Sequence, residues 1–109
     1  MNPRGGKNMY NKIITAINEK RKLKIIYNGG DARTIEPHCY GNDTYDQKKL
    51  RAYQIKGDSN SGEASGWKLF IVENISSVNL LDERFEKPRP GYNPQGDTQI
   101  PHIICKIIE

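Results

Sequence analysis

The stretch KKLRAYQIKGDSNSGEASGWKLFIVENI, Lys48 to Ile75, decides the fold. Its first run sets Lys49, Arg51 and Tyr53 on one face against Leu50, Ala52 and Gln54 on the other, the period of a half-buried strand. Its second run, Trp67 to Val72, is aromatic and branched and reads as a strand buried on both sides. Between them Gly57, Ser59, Asn60, Ser61, Gly62 and Gly66 carry turn chemistry without an apolar anchor. The reading is an antiparallel hairpin with a long polar loop.

Upstream, residues 1–7 read as a loose tail and Asn8 as a helix N-cap. Tyr10, Ile13, Ile14 and Ile17 then recur at helical spacing, which predicts an amphipathic helix of about three turns that must dock to persist. Lys22 to Tyr27 alternates as a strand, and Asn28-Gly29-Gly30-Asp31 is a hairpin turn signal. Ala32 to Tyr40 is the returning strand, and Pro37, which has no amide hydrogen, places it at an edge or bends it. Gly41 to Gln47 is polar loop. Ser76 to Leu81 gives a fifth strand after a tight connection at Glu73-Asn74-Ile75.

After Phe85, the segment EKPRPGYNPQGD can form neither helix nor ladder, and Tyr92 within it is suited to pin it to the body. Ile100, Ile103, Ile104, Ile107 and Ile108 return to helical spacing, with Asp97 or Thr98 as cap and Pro101 in the first turn. The spacing predicts a terminal helix, although β-branched isoleucines also suit a strand. The expected architecture is mainly β within the α+β class. It has a small barrel of five short strands spanning residues 8–85, an N-terminal helix, and a C-terminal helix (within 86–109) packed on the same domain.

A chain of 109 residues with 35% hydrophobic content fits one economical core. No apolar run is long enough to cross a bilayer, and MNPRGGKNMY lacks the apolar centre of a secretion signal, so a soluble cytoplasmic protein is expected. Residues 1–30 hold seven basic residues against the single acid Glu19, a net of +6, so the rest carries −2 of the overall +4. A basic front end attracts nucleic acid or another polyanion, or is simply a solvated surface. Cys39 and Cys105 are too few for a disulfide framework. His38-Cys39 and His102-x-x-Cys105 could suggest zinc, but adjacent strand residues point to opposite faces, so no metal is expected and two buried thiols are the better reading. No nucleophile elbow, HExxH or phosphate-loop pattern is present, so neither an enzyme nor a cofactor is expected, an enzyme on small phosphorylated substrates being the weaker alternative.

The helix, then KLKIIYNGGDARTIEPHCYG, LRAYQ and GWKLFIVENISSV, resembles the WYL domain family over residues 10–81. The family's R-x-x-x-P strand falls on Arg33 to Pro37 and its basic-x-Phe strand on Lys68 and Phe70. Of the Trp-Tyr-Leu signature only Leu50 is kept, the first two positions being Lys48 and Lys49, and PRPGYNP looks like the ending of compact stand-alone members. The resemblance implies an Sm-like, SH3-type barrel. It also implies a sensor or regulatory module that binds nucleotides or single-stranded nucleic acid, often beside DNA-handling or phage-defence modules.

On that reading the ligand surface is basic and aromatic. Lys49, Arg51 and Tyr53 share one strand face and suit a phosphate with a stacked base. Arg33 and Lys68 occupy the family's basic positions, with Arg33 alternatively pairing Asp31 or Glu36. His38, on a face with Glu36 and Tyr40, suits an anion or a base, or else satisfies a backbone carbonyl. Trp67 reads as core, and Asp58 to Gly62 as a hairpin loop that could offer amides to an anion. The rival reading is a protein-interaction subunit that pairs with itself or a larger partner through the isoleucine-rich terminal helix or a barrel edge.

Overall fold

The computed structural model describes residues 4–57 and 65–108, with side chains from residue 8 onward. Residues 1–3 of the expected tail and the Asp58–Gly62 loop lie outside the described residues. The elements are helix α1 (Arg4–Glu19), strands β1 (Arg21–Tyr27), β2 (Ala32–Asn42), β3 (Lys48–Gly57) and β4 (Gly66–Ile71), a single 3-10 turn (Val72–Asn74), then β5 (Ile75–Arg84) and β6 (His102–Lys106). The helix begins a turn before Asn8, so the cap read there falls inside it; the propensity cost of an interior asparagine is under about 0.7 kcal/mol.

Every strand pairing is antiparallel. The β1–β2 turn forms where predicted: Asn28 and Gly29 both take positive φ, 54° and 72°, and the Gly30 amide donates to the Tyr27 carbonyl at 3.1 Å. Strand order is β4-β3-β2-β1-β5, and β6 adds to β2. The spine is β2. One edge is paired with β3 along its length, while the other is shared, Ala32–Ile35 with β1 and Cys39–Asn42 with β6. With both edges taken, every residue from Arg33 to Gly41 is buried.

Two expectations are corrected. The sheet has six strands and does not close into a five-stranded barrel. Register shifts interrupt its ladders at two points in β1–β5, two in β2–β3 and one in β2–β6, and bulges of this kind add bend and twist. Off the ladders, the Ile71 amide of β4 donates to the Tyr27 hydroxyl of β1 at 3.0 Å. The terminal segment is also not a helix. It is β6, because the second half of β2 offers an unpaired edge and β-branched isoleucines fill it well. The helical spacing misled: Ile100 and Ile107 are buried, but Ile103, Ile104 and Ile108 are 37%, 50% and 80% exposed.

The core lies between α1 and the concave face of the sheet. Ile13, Ala16 and Ile17 of the helix pack with Leu23, Ile25, Ile35, Tyr40, Leu50 and Phe70, among others. Strand β4 is less buried than its composition suggests, only Phe70 being fully enclosed, because it is the last strand of the path. Among the described residues no helix is long and apolar enough to cross a membrane.

Candidate ligand-binding cleft

Pairing register decides which side chains share the convex face of the sheet. Lys49, Arg51 and Tyr53 lie opposite Ile71, Leu69 and Trp67 of β4. On the other flank Tyr53 faces Glu36 and Arg51 faces Cys39. The register shifts between Pro37 and Cys39, so the bend predicted at the proline is a bulge inside a central strand rather than an edge. The bulge swings His38 to the convex side with Glu36 and Cys39, while Tyr40 turns to the core. The opposed directions expected of His38 and Cys39 therefore do not hold: both border Trp67 and Tyr92.

Over this face runs the 86–101 segment, here called the strap. The Trp67 indole donates to the Pro90 carbonyl at 3.0 Å, the Tyr92 hydroxyl to the Ile107 carbonyl at 2.6 Å, and the Lys106 ammonium to the Pro94 carbonyl at 2.7 Å. Arg89 binds Glu36 through two bonds of 2.7 and 3.1 Å and lies 4.5 Å from the centre of the Tyr53 ring. Asp97 receives Arg51 through bonds of 2.7 and 3.3 Å. Burial alone would raise the Asp97 carboxyl, but the bonds from Arg51 and from the Gln99 amide outweigh it and hold it below the usual range.

Between strap and sheet is a cleft of about 270 Å³, bordered by Cys39, Arg51, Trp67, Tyr92, Asn93 and Asp97. Its charged lining is the Arg51–Asp97 pair, and its aromatic lining is Trp67 and Tyr92. Cys39 is in no state to act as a nucleophile, since burial pushes its thiol up to about 11.

The six residues expected to form the ligand surface separate. Arg51 alone lines the cleft. Tyr53 shares its face but is covered by Arg89 and by the edge of Trp67 at 5.5 Å, so it offers no open stacking surface. Lys49 pairs with Asp43 at 3.2 Å, further along the strand. Lys68 faces Ala52, which places it on the opposite face of the sheet. Arg33 is buried, 5.2 Å from the Tyr27 ring centre and 5.7 Å from that of Phe70, with Nη1 donating to Gln54 at 3.4 Å. His38 is fully buried, stacked on Phe85; its Nδ1 donates to the Glu36 carbonyl at 2.7 Å, leaving Nε2 to accept the Arg89 amide at 3.1 Å. Burial lowers its pKa and keeps it neutral, against smaller upward pulls from the Glu36 carbonyl and carboxylate. The carbonyl-satisfying alternative is the one His38 adopts.

Sequence reasoning missed Trp67 and the strap's Asp97. Trp67 has the size and composition of a core residue, and only its place on the last strand exposes one edge. The register opposite Tyr53 was the one signal that could have found it.

No family model and no curated protein matches the sequence. Among solved structures, the chain is similar to proteasome accessory factor B/C (PafBC) of Arthrobacter aurescens, with a TM-score of 0.62 at 16% identity over 80% of this chain. The match spans 13% of that larger protein. At this identity the likeness is one of fold, and it supports a WYL-like fold for this chain.

Proposed function

We propose that this chain is a ligand-binding regulatory module that takes a nucleotide, or the end of a single-stranded nucleic acid, in the cleft beneath the strap. The observation that carries the reading is that Arg51 and Trp67, diagonal neighbours on one face of the sheet, line one small concavity. A guanidinium fork suits a phosphate, and an indole suits a base. The volume, about 270 Å³, is at the small end for ligand pockets, so it takes one nucleotide rather than a run of them. The fold likeness to an accessory factor fits a regulatory role. Binding without turnover fits the chemistry at hand, since His38 has both ring nitrogens engaged and Cys39 holds its proton.

The test is titration of fluorescent adenosine monophosphate and a short labelled single strand at two salt concentrations. Arg51→Gln should weaken binding and flatten its salt dependence. Trp67→Leu should cost about 1–3 kcal/mol with little change in salt slope. A wild-type protein that binds neither probe sinks this reading.

A second reading is favoured by the exposure of Ile103, Ile104 and Ile108 on and beside β6. Exposed isoleucines at a strand suit pairing with a second copy or a partner strand. Sedimentation of the wild type beside an Ile104→Lys variant tests the self-pairing form: a wild-type dimer lost in the variant supports it, and a wild-type monomer removes it.

A further inference from the structure

The cleft already holds an anion of the chain's own. The Asp97 carboxylate sits on the Nε and Nη2 edge of Arg51, the arrangement by which a guanidinium also grips two oxygens of a phosphate. Asp97 is set there by its own turn: its carboxylate accepts the Gln99 amide and its carbonyl the Ile100 amide, each at 2.9 Å. Around it the strap is fastened at Pro90, Pro94 and Tyr92. The pair can therefore be exchanged by a movement confined to the 95–99 turn, with the rest of the strap in place.

The local charge is uneven. Lys106 lies opposite Cys39 in the β2–β6 register, and Arg51 lies opposite Cys39 in the β2–β3 register, so two cations flank one thiol with the single carboxylate of Asp97. One positive charge remains after the Arg51–Asp97 pair forms. A phosphodiester brings one charge and two free oxygens, and so has no electrostatic advantage over the carboxylate it must displace. A phosphate monoester brings about −1.5 to −2 at neutral pH, more charge than the carboxylate it displaces, to the Arg51 fork and to the field of Lys106 beyond the cleft.

We propose that Asp97 is a built-in competitor for the ligand's anion, and that the Arg51 site is filled by a phosphate monoester, as in a nucleoside 5′-monophosphate, that displaces it. This rests on the nucleotide-binding reading above and narrows it from nucleotides and single strands to terminal phosphates. The strap then reports occupancy, because loading the cleft frees the 95–99 turn from the sheet.

The experiment titrates adenosine 5′-monophosphate, 3′,5′-cyclic adenosine monophosphate and adenosine into the wild type and into Asp97→Asn. The amide keeps the shape of the side chain but removes its charge. The monophosphate should outbind the cyclic diester in the wild type. In Asp97→Asn both should tighten by about tenfold, the size expected for removing one charge-assisted competitor, while adenosine is unchanged. Wild-type binding of the monophosphate with no gain in Asp97→Asn overturns the competitor while leaving the binding module standing, as does a preference for the cyclic diester. Failure of all three probes on both proteins overturns both. Should the variant not fold, the Arg51 Nε–H resonance of the wild type gives the answer: it must shift on saturation with the monophosphate and stay fixed with adenosine, and a resonance fixed with both while the monophosphate binds refutes the exchange.

Discussion

Breaking the Arg89–Glu36 pair should be sharply asymmetric. The Glu36 side chain is 2% exposed and that of Arg89 37% exposed, so each partner left alone meets a different environment. Arg89→Met strands a carboxylate between β2 and the strap. Removing one member of a fully buried pair typically costs about 3–5 kcal/mol, but water can enter where the guanidinium stood, so about 2 kcal/mol is expected here. Loss of the guanidinium over Tyr53 adds about 0.5 kcal/mol. Glu36→Gln leaves a guanidinium that can turn to solvent and a side chain that still accepts a hydrogen bond, so it should cost about 1 kcal/mol. The double variant Arg89→Met/Glu36→Gln should recover much of the loss, since nothing charged is then buried. Urea unfolding of the wild type, both single variants and the double variant measures all four corners. In thermal melts Arg89→Met should lose roughly 10–20 °C. Equal costs for the two single variants, or a double variant that is their plain sum, would refute the argument from burial.

Stability should also fall with acidification near the histidine range. The folded pKa of His38 is depressed below 6.5, so its contribution is complete above that value and is lost as pH falls toward the folded pKa; melting temperature should drop from pH 7.5 to pH 5.5, and His38→Gln should flatten that slope. At Gly41 an added Cβ would run into the His102 carbonyl and stand 2.7 Å from Ile100 Cγ2, so Gly41→Ala should detach β6, seen as faster amide exchange across His102–Lys106; unchanged exchange there would contradict the close approach. Deleting residues 98–109 removes the buried Ile100 and Ile107, each worth about 1.5–3 kcal/mol, and bares the second half of β2, so lower melting or aggregation is expected and an unchanged melt would argue against it.

What could be read from the chain was what local chemistry dictates. The Asn28-Gly29 turn needs two positive φ angles, and the sequence supplies residues that tolerate them. The alternation of β3 holds because one face is core and the other is not. Pro37 announced a break, but only the pairing partners could say that it would be a bulge in the spine. The terminal isoleucines fit two periods, and the choice belonged to an edge of β2 more than sixty residues away. The cleft was the least legible part. Arg51 and Asp97 are 46 residues apart and Glu36 and Arg89 are 53, and no local spacing encodes such pairs. A face of two cations and a tyrosine therefore read as open, whereas the chain supplies its own cover.

At Pro90 and Pro94 the strap is tied down by its backbone. Trp67 and Lys106 reach for the carbonyls of Pro90 and Pro94, and a carbonyl is the one group every residue carries. At those two points the gripping side chains are on the sheet, so the strap's residues there can change while its path is kept, whereas Arg89, Tyr92 and Asp97 bind through their own side chains. Gly91 is where that freedom stops: its φ is 97°, and a Cβ there would stand 3.1 Å from the Trp67 indole nitrogen. In a family of descendants, the trace of this arrangement would be a tryptophan on β4 and a glycine opposite it, with the letters at Pro90 and Pro94 free to scatter between the kept Arg89, Tyr92 and Asp97.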